Sequence, residues 1–254
     1  MAKMNCEGTI AFIDLENGKA EFRDISPEQR HQLLGGRGIN MSILRESLQP
    51  GLPELHPEKP LIIGIGALSG LRGPSTSRAS ITGHSPETGL LGDSNIGGHF
   101  ASEMRKTGYH HLVVQGKAKD LSVLVVRKGK ISIEDASDLQ GTDTNAATEQ
   151  LRARYSPKSQ SLVIGPAGES LVRFACIRHG LKSTAGRTGL GCLMGSKNLK
   201  AIVVIGDERA EDQLGKEFAD YNKRLTKQIS DSRAAEVLSR YGTPFLFDLH
   251  NREG

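Results

Sequence analysis

The chain has no tryptophan, and aromatics make up only 4% of its 254 residues. Its 33 Lys and Arg against 29 Asp and Glu leave a formal charge of +4, spread along the sequence with no basic run. Without a basic tract or an aromatic-interleaved patch there is no footprint for nucleic acid. The three cysteines, Cys6, Cys176 and Cys192, are odd in number and form no CxxC pair. That argues against a disulfide framework and for a reducing, cytoplasmic setting. No apolar run approaches the roughly 20 residues needed to cross a bilayer. The residues after Met1 are polar and do not read as a signal peptide, so no membrane is expected as a partner.

What the chain has in excess is glycine, 30 residues. Glycine is used where φ is positive or where another group must approach bare backbone. The length is enough for one large or two small domains with a full core. Gly8–Leu15 and Ala20–Arg23 read as strands joined at Asn17-Gly18, a hairpin signal. Ser26-Pro27 opens a helix with Ser26 as its cap. Gly35-Gly36-Arg37-Gly38 opens another, ending near Ser47. Buried strands are expected at Leu61–Gly66 and His111–Gly116, and a second strand at Arg78–Thr82. Gly89–Gly98 reads as a loop and His99–Thr107 as a helix. Two strands of a hairpin (Ser122–Arg127 and Lys130–Glu134) and a helix over Thr144–Tyr155 follow.

The order then recurs. Ser161–Pro166 is a buried strand, Arg173–Ile177 an Arg-led strand, Thr184–Gly191 a Gly-rich loop, Gly195–Leu199 a helical turn, and Ala201–Gly206 a strand. Superposing the strands that end at Gly116 and Gly206 sets an offset of 90 residues and lays Asn95 on Ala185. The expected fold is therefore α+β: an internally duplicated, mixed-sheet domain with pseudo-two-fold symmetry that brings both Gly-rich loops together. It should occupy residues 1–207, with 208–254 forming a polar linker and a short helical extension.

The Gly-rich loops are the best candidates for chemistry. Free N–H groups ahead of a helix suit a phosphate, and the guanidinium groups of Arg78 and Arg187 suit phosphate or a planar heterocycle. Asp93 and Asn95 offer oxygen ligands, although an Asx turn or helix cap is the plainer role for both. Neither loop is a Walker A or a dinucleotide fingerprint. The eight histidines form no ligand set; His99 alone sits beside a loop. Cys176 and Cys192 read as small buried hydrophobes.

At these segments the chain resembles the tungsten-containing aldehyde:ferredoxin oxidoreductases. The resemblance is carried by Leu34–Gly38, Ser85–Gly89, Asn95–Phe100, Gly108-Tyr109, Ile164–Glu169, Ala185–Gly191 and Met194–Ile202, in that order. It implies the N-terminal domain on which a tungsten (or molybdenum) bis-pterin cofactor lies. Contacts would come from Arg78, Asn95 and Gly97 in the first half and from Thr184, Ala185, Gly186 and Arg187 in the second. Carbonyls at Asn95 and Ala185 would hold a Mg²⁺ between the pterin phosphates, a hard cation among oxygens. The implied reaction oxidises an aldehyde to a carboxylic acid, with electrons leaving through a [4Fe–4S] cluster to ferredoxin or another carrier. The cluster's four cysteines belong to later domains and are absent here, so the chain implies a need for those domains or a partner subunit; a homodimer stays open. The alternative is a non-catalytic pterin- or phosphate-binding module or a partner subunit, including one of an aryl-CoA reductase-type complex. Two departures stand out: Ser183 where a basic residue is frequent, and Thr188 where glycine is common.

Overall fold

The computed structural model describes residues 8–71, 73–206 and 215–253. Cys6 and the 207–212 linker expectation lie outside the described residues. Two units are distinguished, one within 1–71 and 76–211 and the other within 72–75 and 212–254.

The first unit begins with the expected hairpin. Strands β1 (Thr9–Asp14) and β2 (Lys19–Asp24) pair antiparallel, closed by Gly18 at φ +66°. The Asp14 carboxylate accepts the Glu16 and Asn17 N–H groups and fixes the turn. Helix α1 (Pro27–Leu33) starts with a reciprocal capping box between Ser26 and Gln29. Helix α2 (Arg37–Glu46) follows the Gly35-Gly36 bend. Then come β3 (Leu61–Ile65), β4 (Ala79–His84), β5 (Leu91–Ile96), α3 (Phe100–Lys106) and β6 (Tyr109–Gln115). The second half runs β7 (Ser122–Arg127), β8 (Lys130–Asp135), α4 (Thr144–Tyr155), β9 (Gln160–Val163), α5 (Pro166–Glu169), β10 (Ile177–His179), β11 (Ser183–Ala185), α6 (Leu190–Ser196) and β12 (Leu199–Ile205).

Two six-stranded mixed sheets result, ordered β2-β1-β6-β3-β4-β5 and β11-β10-β9-β12-β7-β8. Read strand for strand, these are the same sheet made twice. The agreement extends to a defect: β6 carries an extra residue, His110, where it pairs with β1, and β12 carries Lys200 at the same place against β7. One-residue bulges of this kind bend a strand locally. The duplication thus includes the opening hairpin of each half, which sequence order alone did not reveal.

Burial sorts the molecule into layers. Leu61, Ile63 and Ile65 of β3 and Ile202 and Val204 of β12 face a central core that also takes Phe100 and Met104 of α3 and Leu190, Leu193 and Met194 of α6. Ile62 and Val113 face outward beneath Ile39 and Ile43 of α2. Val163, Val203 and Ala201 face outward beneath Ala147 and Leu151 of α4. The order is α2, sheet, α3 with α6, sheet, α4. Strands covered on both faces must be apolar throughout, which is why β3 reads as a continuous run.

Three sequence expectations need correction. Gly89–Gly98 is mainly the edge strand β5, whose burial alternates along its length. Gly92 is small because β5 packs close to the second half, with the Thr188 hydroxyl 3.1 Å from where a β-carbon would sit. Arg173–Ile177 is not a strand; β10 begins only at Ile177, and Arg173 is paired with Glu54. The helix before β12 starts at Leu190, earlier than the Gly195 turn, because Gly189 in the left-handed region caps it.

In the second unit, α7 (Lys216–Ser230), α8 (Arg233–Tyr241), a 3-10 turn (Thr243–Leu246) and α9 (Phe247–Glu253) follow one another, and Ser232 caps α8 through the Ala235 N–H. None of these elements buries a side chain completely. Among the described residues no helix is long and apolar enough to cross a membrane.

Candidate functional site

Pairing registers locate the equivalent residues of the two halves. Following the ladders from β6 through β3 and β4 reaches Ser80 opposite Asn95; from β12 through β9 and β10 the same path reaches Arg178 opposite Thr184. Asn95 therefore corresponds to Thr184, Ile96 to Ala185 and Gly97 to Gly186. The expected match of Asn95 with Ala185 is off by one residue, because the segment between β11 and α6 (186–189) is one residue longer than that between β5 and α3 (97–99). Edge strands β5 and β11 are neighbours, so both segments lie on one side of the unit.

The first segment is tied down by side chains. Ser80 Oγ donates to Asn95 Oδ1 at 3.0 Å. Asp93 accepts from Thr82 Oγ1 at 3.2 Å and pairs with Arg37 at 2.7 Å. The Asx-turn role considered for Asp93 and Asn95 gives way to this strand-borne row. Behind it, Asn40 Nδ2 donates to the Ser80 carbonyl and to Thr82 Oγ1, at 3.0 and 3.1 Å. That fixes the amide's orientation, so Asn40 Oδ1 accepts from His111 Nδ1 at 2.8 Å. Burial, then the His110 and Arg30 charges, hold His111 neutral with a pKa pushed down to about 3. Gly64 sits in the middle of β3 because any β-carbon there would overlap Asn40 and His111.

Arg78 lies just ahead of β4 and is exposed. Its carbonyl accepts from Ser69 Oγ, while the neighbouring Ser77 Oγ donates to the Gly98 carbonyl at 2.7 Å. The backbone is anchored on both sides and the guanidinium is left unpaired among the described residues. Thr184, Gly186 and Arg187 are likewise exposed, Ala185 is buried, and the Arg187 guanidinium has no partner among the described residues.

Gly97 and Gly186 carry the most information. Neither has a positive φ, and a β-carbon at either would meet nothing closer than 3.8 Å and 3.4 Å respectively. No contact among the described residues requires glycine at these two equivalent positions. By contrast Gly189 is enforced from within, since a β-carbon there would overlap the Arg173 carbonyl. Two bare, open backbone stretches flanked by unpaired guanidinium groups fit a flat ligand bearing phosphates.

The N-termini of α3 and α6 offer an anion less than their sequences suggest. Both α3 and α6 have only seven residues. The His99 N–H is already used, donating to His179 Nε2 at 3.2 Å across the two halves. His179 Nδ1 donates to the Ser161 carbonyl at 3.0 Å, so the ring is a neutral bridge, its pKa lowered chiefly by burial. This bridge left no sequence signal. His99 itself is exposed. Cys192 donates to the Leu171 carbonyl, and burial raises its pKa, as suits a structural thiol. Among the described residues no group of three His, Cys, Asp or Glu side chains is placed to hold a metal.

Comparison with known proteins gives a consistent result. The family model for the aldehyde ferredoxin oxidoreductase N-terminal domain matches residues 10–206. A tungsten-containing aldehyde ferredoxin oxidoreductase of Pyrococcus furiosus is 34% identical over 249 residues, 97% of this chain and 41% of the relative. The aliphatic sulfonate oxidoreductase WOR-like subunit of the same organism is 30% identical over 78% of the chain and 34% of its own length. A solved structure, the active site complex BamBC of benzoyl coenzyme A reductase with 1,5-dienoyl-CoA, superposes with a TM-score of 0.82 at 32% identity, covering 88% of this chain and 34% of the other. The chain spans about two fifths of the length of the curated oxidoreductases it matches, 41%.

Proposed function

Because this chain belongs to the aldehyde ferredoxin oxidoreductase family through its N-terminal domain, we propose that its first unit cradles a tungsten (or molybdenum) bis-pterin. The reading rests on one observation above all: Gly97 and Gly186 stand at equivalent places in the two halves, with ordinary φ and open space where a side chain would be. A cofactor with two equivalent arms calls for two equivalent seats. Gly97 and Gly186 let each arm lie against backbone. Arg78 and Arg187 neutralise its phosphates with charge-assisted hydrogen bonds. The carbonyls of Asn95, whose side chain is held by Ser80, and of Ala185 would hold a Mg²⁺ that offsets phosphate charge, and Thr184 would add a hydroxyl donor. The ligands need not be symmetric, since the strict counterpart of Asn95 is Thr184. When bound, the cofactor supplies the two-electron redox chemistry that takes an aldehyde to a carboxylic acid; the chain's own part is to bind, orient and neutralise.

The remaining expectations go with this reading. The domain is taken as 1–207, with 208–254 leading into a second, helical domain. A [4Fe–4S] cluster and the substrate-side residues are assigned to chain or subunits beyond this sequence, with ferredoxin or another carrier as acceptor and the cytoplasm as compartment. A second reading, a subunit of an aryl-CoA reductase-type assembly, draws support from the BamBC likeness. The test is tungsten and pterin content of the chain purified after co-expression with its genomic neighbours. Gly97→Val or Gly186→Val should each lower cofactor content about tenfold, the scale of one lost close contact. Full loading of the double variant would overturn the cradle.

A further inference from the structure

The turn from α2 toward β3 borders a half-open cavity of about 230 Å³ that the pterin reading does not use. It lies at the opposite end of β4 from Arg78, bordered by His84, the last residue of that strand. At about 3.3 Å per residue, six residues of strand separate the two by roughly 20 Å. Leu44, Leu48, Leu52, Pro50 and Pro60 form its walls.

Two basic groups border the same space. Lys59 Nζ donates to His84 Nδ1 at 3.4 Å. An ammonium has only donors, so the imidazole accepts and is neutral. Burial lowers the His84 pKa, with the Lys59 charge adding to it. Burial also lowers the Lys59 pKa, opposed by Glu54. Glu54, however, is paired with Arg173. Lys59 has no ion-pair partner among the described residues. It is a half-buried ammonium with unused N–H groups at the edge of a mainly apolar, half-open cavity.

The geometry points to a binding site for a small aliphatic monocarboxylate, its head on Lys59 Nζ and its chain among Leu44, Leu48 and Leu52. One unpaired cation selects a monoanion. Proline has no N–H, leucine side chains offer no donor, and the Ser47 hydroxyl already donates to the Ile43 carbonyl, so beside Lys59 and His84 only the Gln49 amide is a side-chain donor on this border; phosphate or sulfate would keep a second charge uncompensated. At about 30 Å³ per water-sized group, the cavity takes roughly eight non-hydrogen atoms, the size of hexanoate. A few convergent polar groups in an apolar enclosure are the usual pattern of a small-molecule site.

Titration of the full chain with hexanoate, followed by amide NMR, tests the site. Saturable shifts are expected at residues 48–52 and at His84, with a Kd of about 1 mM. Hexanol and inorganic sulfate should each bind at least about tenfold more weakly. Lys59→Met should lose about tenfold in affinity and Lys59→Arg should keep most of it. Leu52→Trp, which fills the cavity and leaves Lys59 in place, should abolish the shifts. The site is overturned if hexanoate does not saturate, if hexanol binds equally well, or if either Lys59→Met or Leu52→Trp binds hexanoate like the parent chain.

Discussion

The two halves of the first unit share a strand order, a central core and a β-bulge, yet fill the bulge with opposite chemistry. In the first half it holds His110, buried, with Nδ1 lacking a hydrogen-bond partner and a pKa pushed down to about 4 by burial and the Arg105 charge. In the second it holds Lys200, fully buried, whose ammonium pairs with Glu169 and donates to the Thr142 carbonyl at 2.8 Å. Backbone geometry was kept while the side chain moved from a neutral ring to a neutralised ion. The comparison teaches that duplication preserves the ladder more faithfully than the polar groups attached to it.

The largest expected effect separates the two bulges. Lys200→Met strands the Glu169 carboxylate and should cost about 4 kcal/mol, the scale for breaking a buried pair. His110→Met removes an imidazole with an unsatisfied nitrogen and should cost under about 1 kcal/mol. Chemical denaturation of both variants checks this, and equal losses would erase the contrast.

Next comes acid. Folded His111 and His110 have pKa values of about 3 and 4 against 6.5 unfolded. Above 6.5 neither form binds the proton, so stability is fully present. Between 6.5 and about 4 the unfolded chain binds protons that the folded chain refuses, and stability falls by about 1.4 kcal/mol per pH unit for each ring. The second half has no such pair, so Asn40, His111 and the strands around them should lose amide protection first as pH drops. Uniform loss across both sheets would remove this second asymmetry.

The smallest effect concerns Thr188, held at φ +64° in the loop before α6. A β-branched residue is strained there. Thr188→Gly should stabilise by about 1 kcal/mol in thermal unfolding. A loss of stability would mean that its packing toward Gly92 matters more than its backbone.

The hairpin, α1 and α4 were readable because Asn17-Gly18, Ser26-Pro27 and the Thr144–Tyr155 pattern are local signals. The order of elements in the second half was readable because Leu162–Ile164 and Ile202–Ile205 repeat earlier apolar runs. Edge strand β5 was hidden because glycine and serine serve equally for a loop and for a strand pressed against a neighbour. The Asn40–His111 pair was hidden because its members are 71 residues apart. At the site, the sequence singled out the exposed arginines and the open glycines. It did not separate Gly97 and Gly186, free of internal constraint, from Gly189, which the Arg173 carbonyl enforces; that distinction exists only in three dimensions.

Helix α3 of the first half packs on β12 and β9 of the second as well as on β6 and β3 of its own, and α6 packs on β3 and β4 of the first as well as on β12 of its own. Glu103 of α3 also receives the Gly206 N–H that ends β12, at 2.8 Å. Each helix is shared, set between its own sheet and that of the other half. A single repeat on its own would leave one side of its helix open to water. Having both repeats in one chain makes their association intramolecular and so independent of concentration.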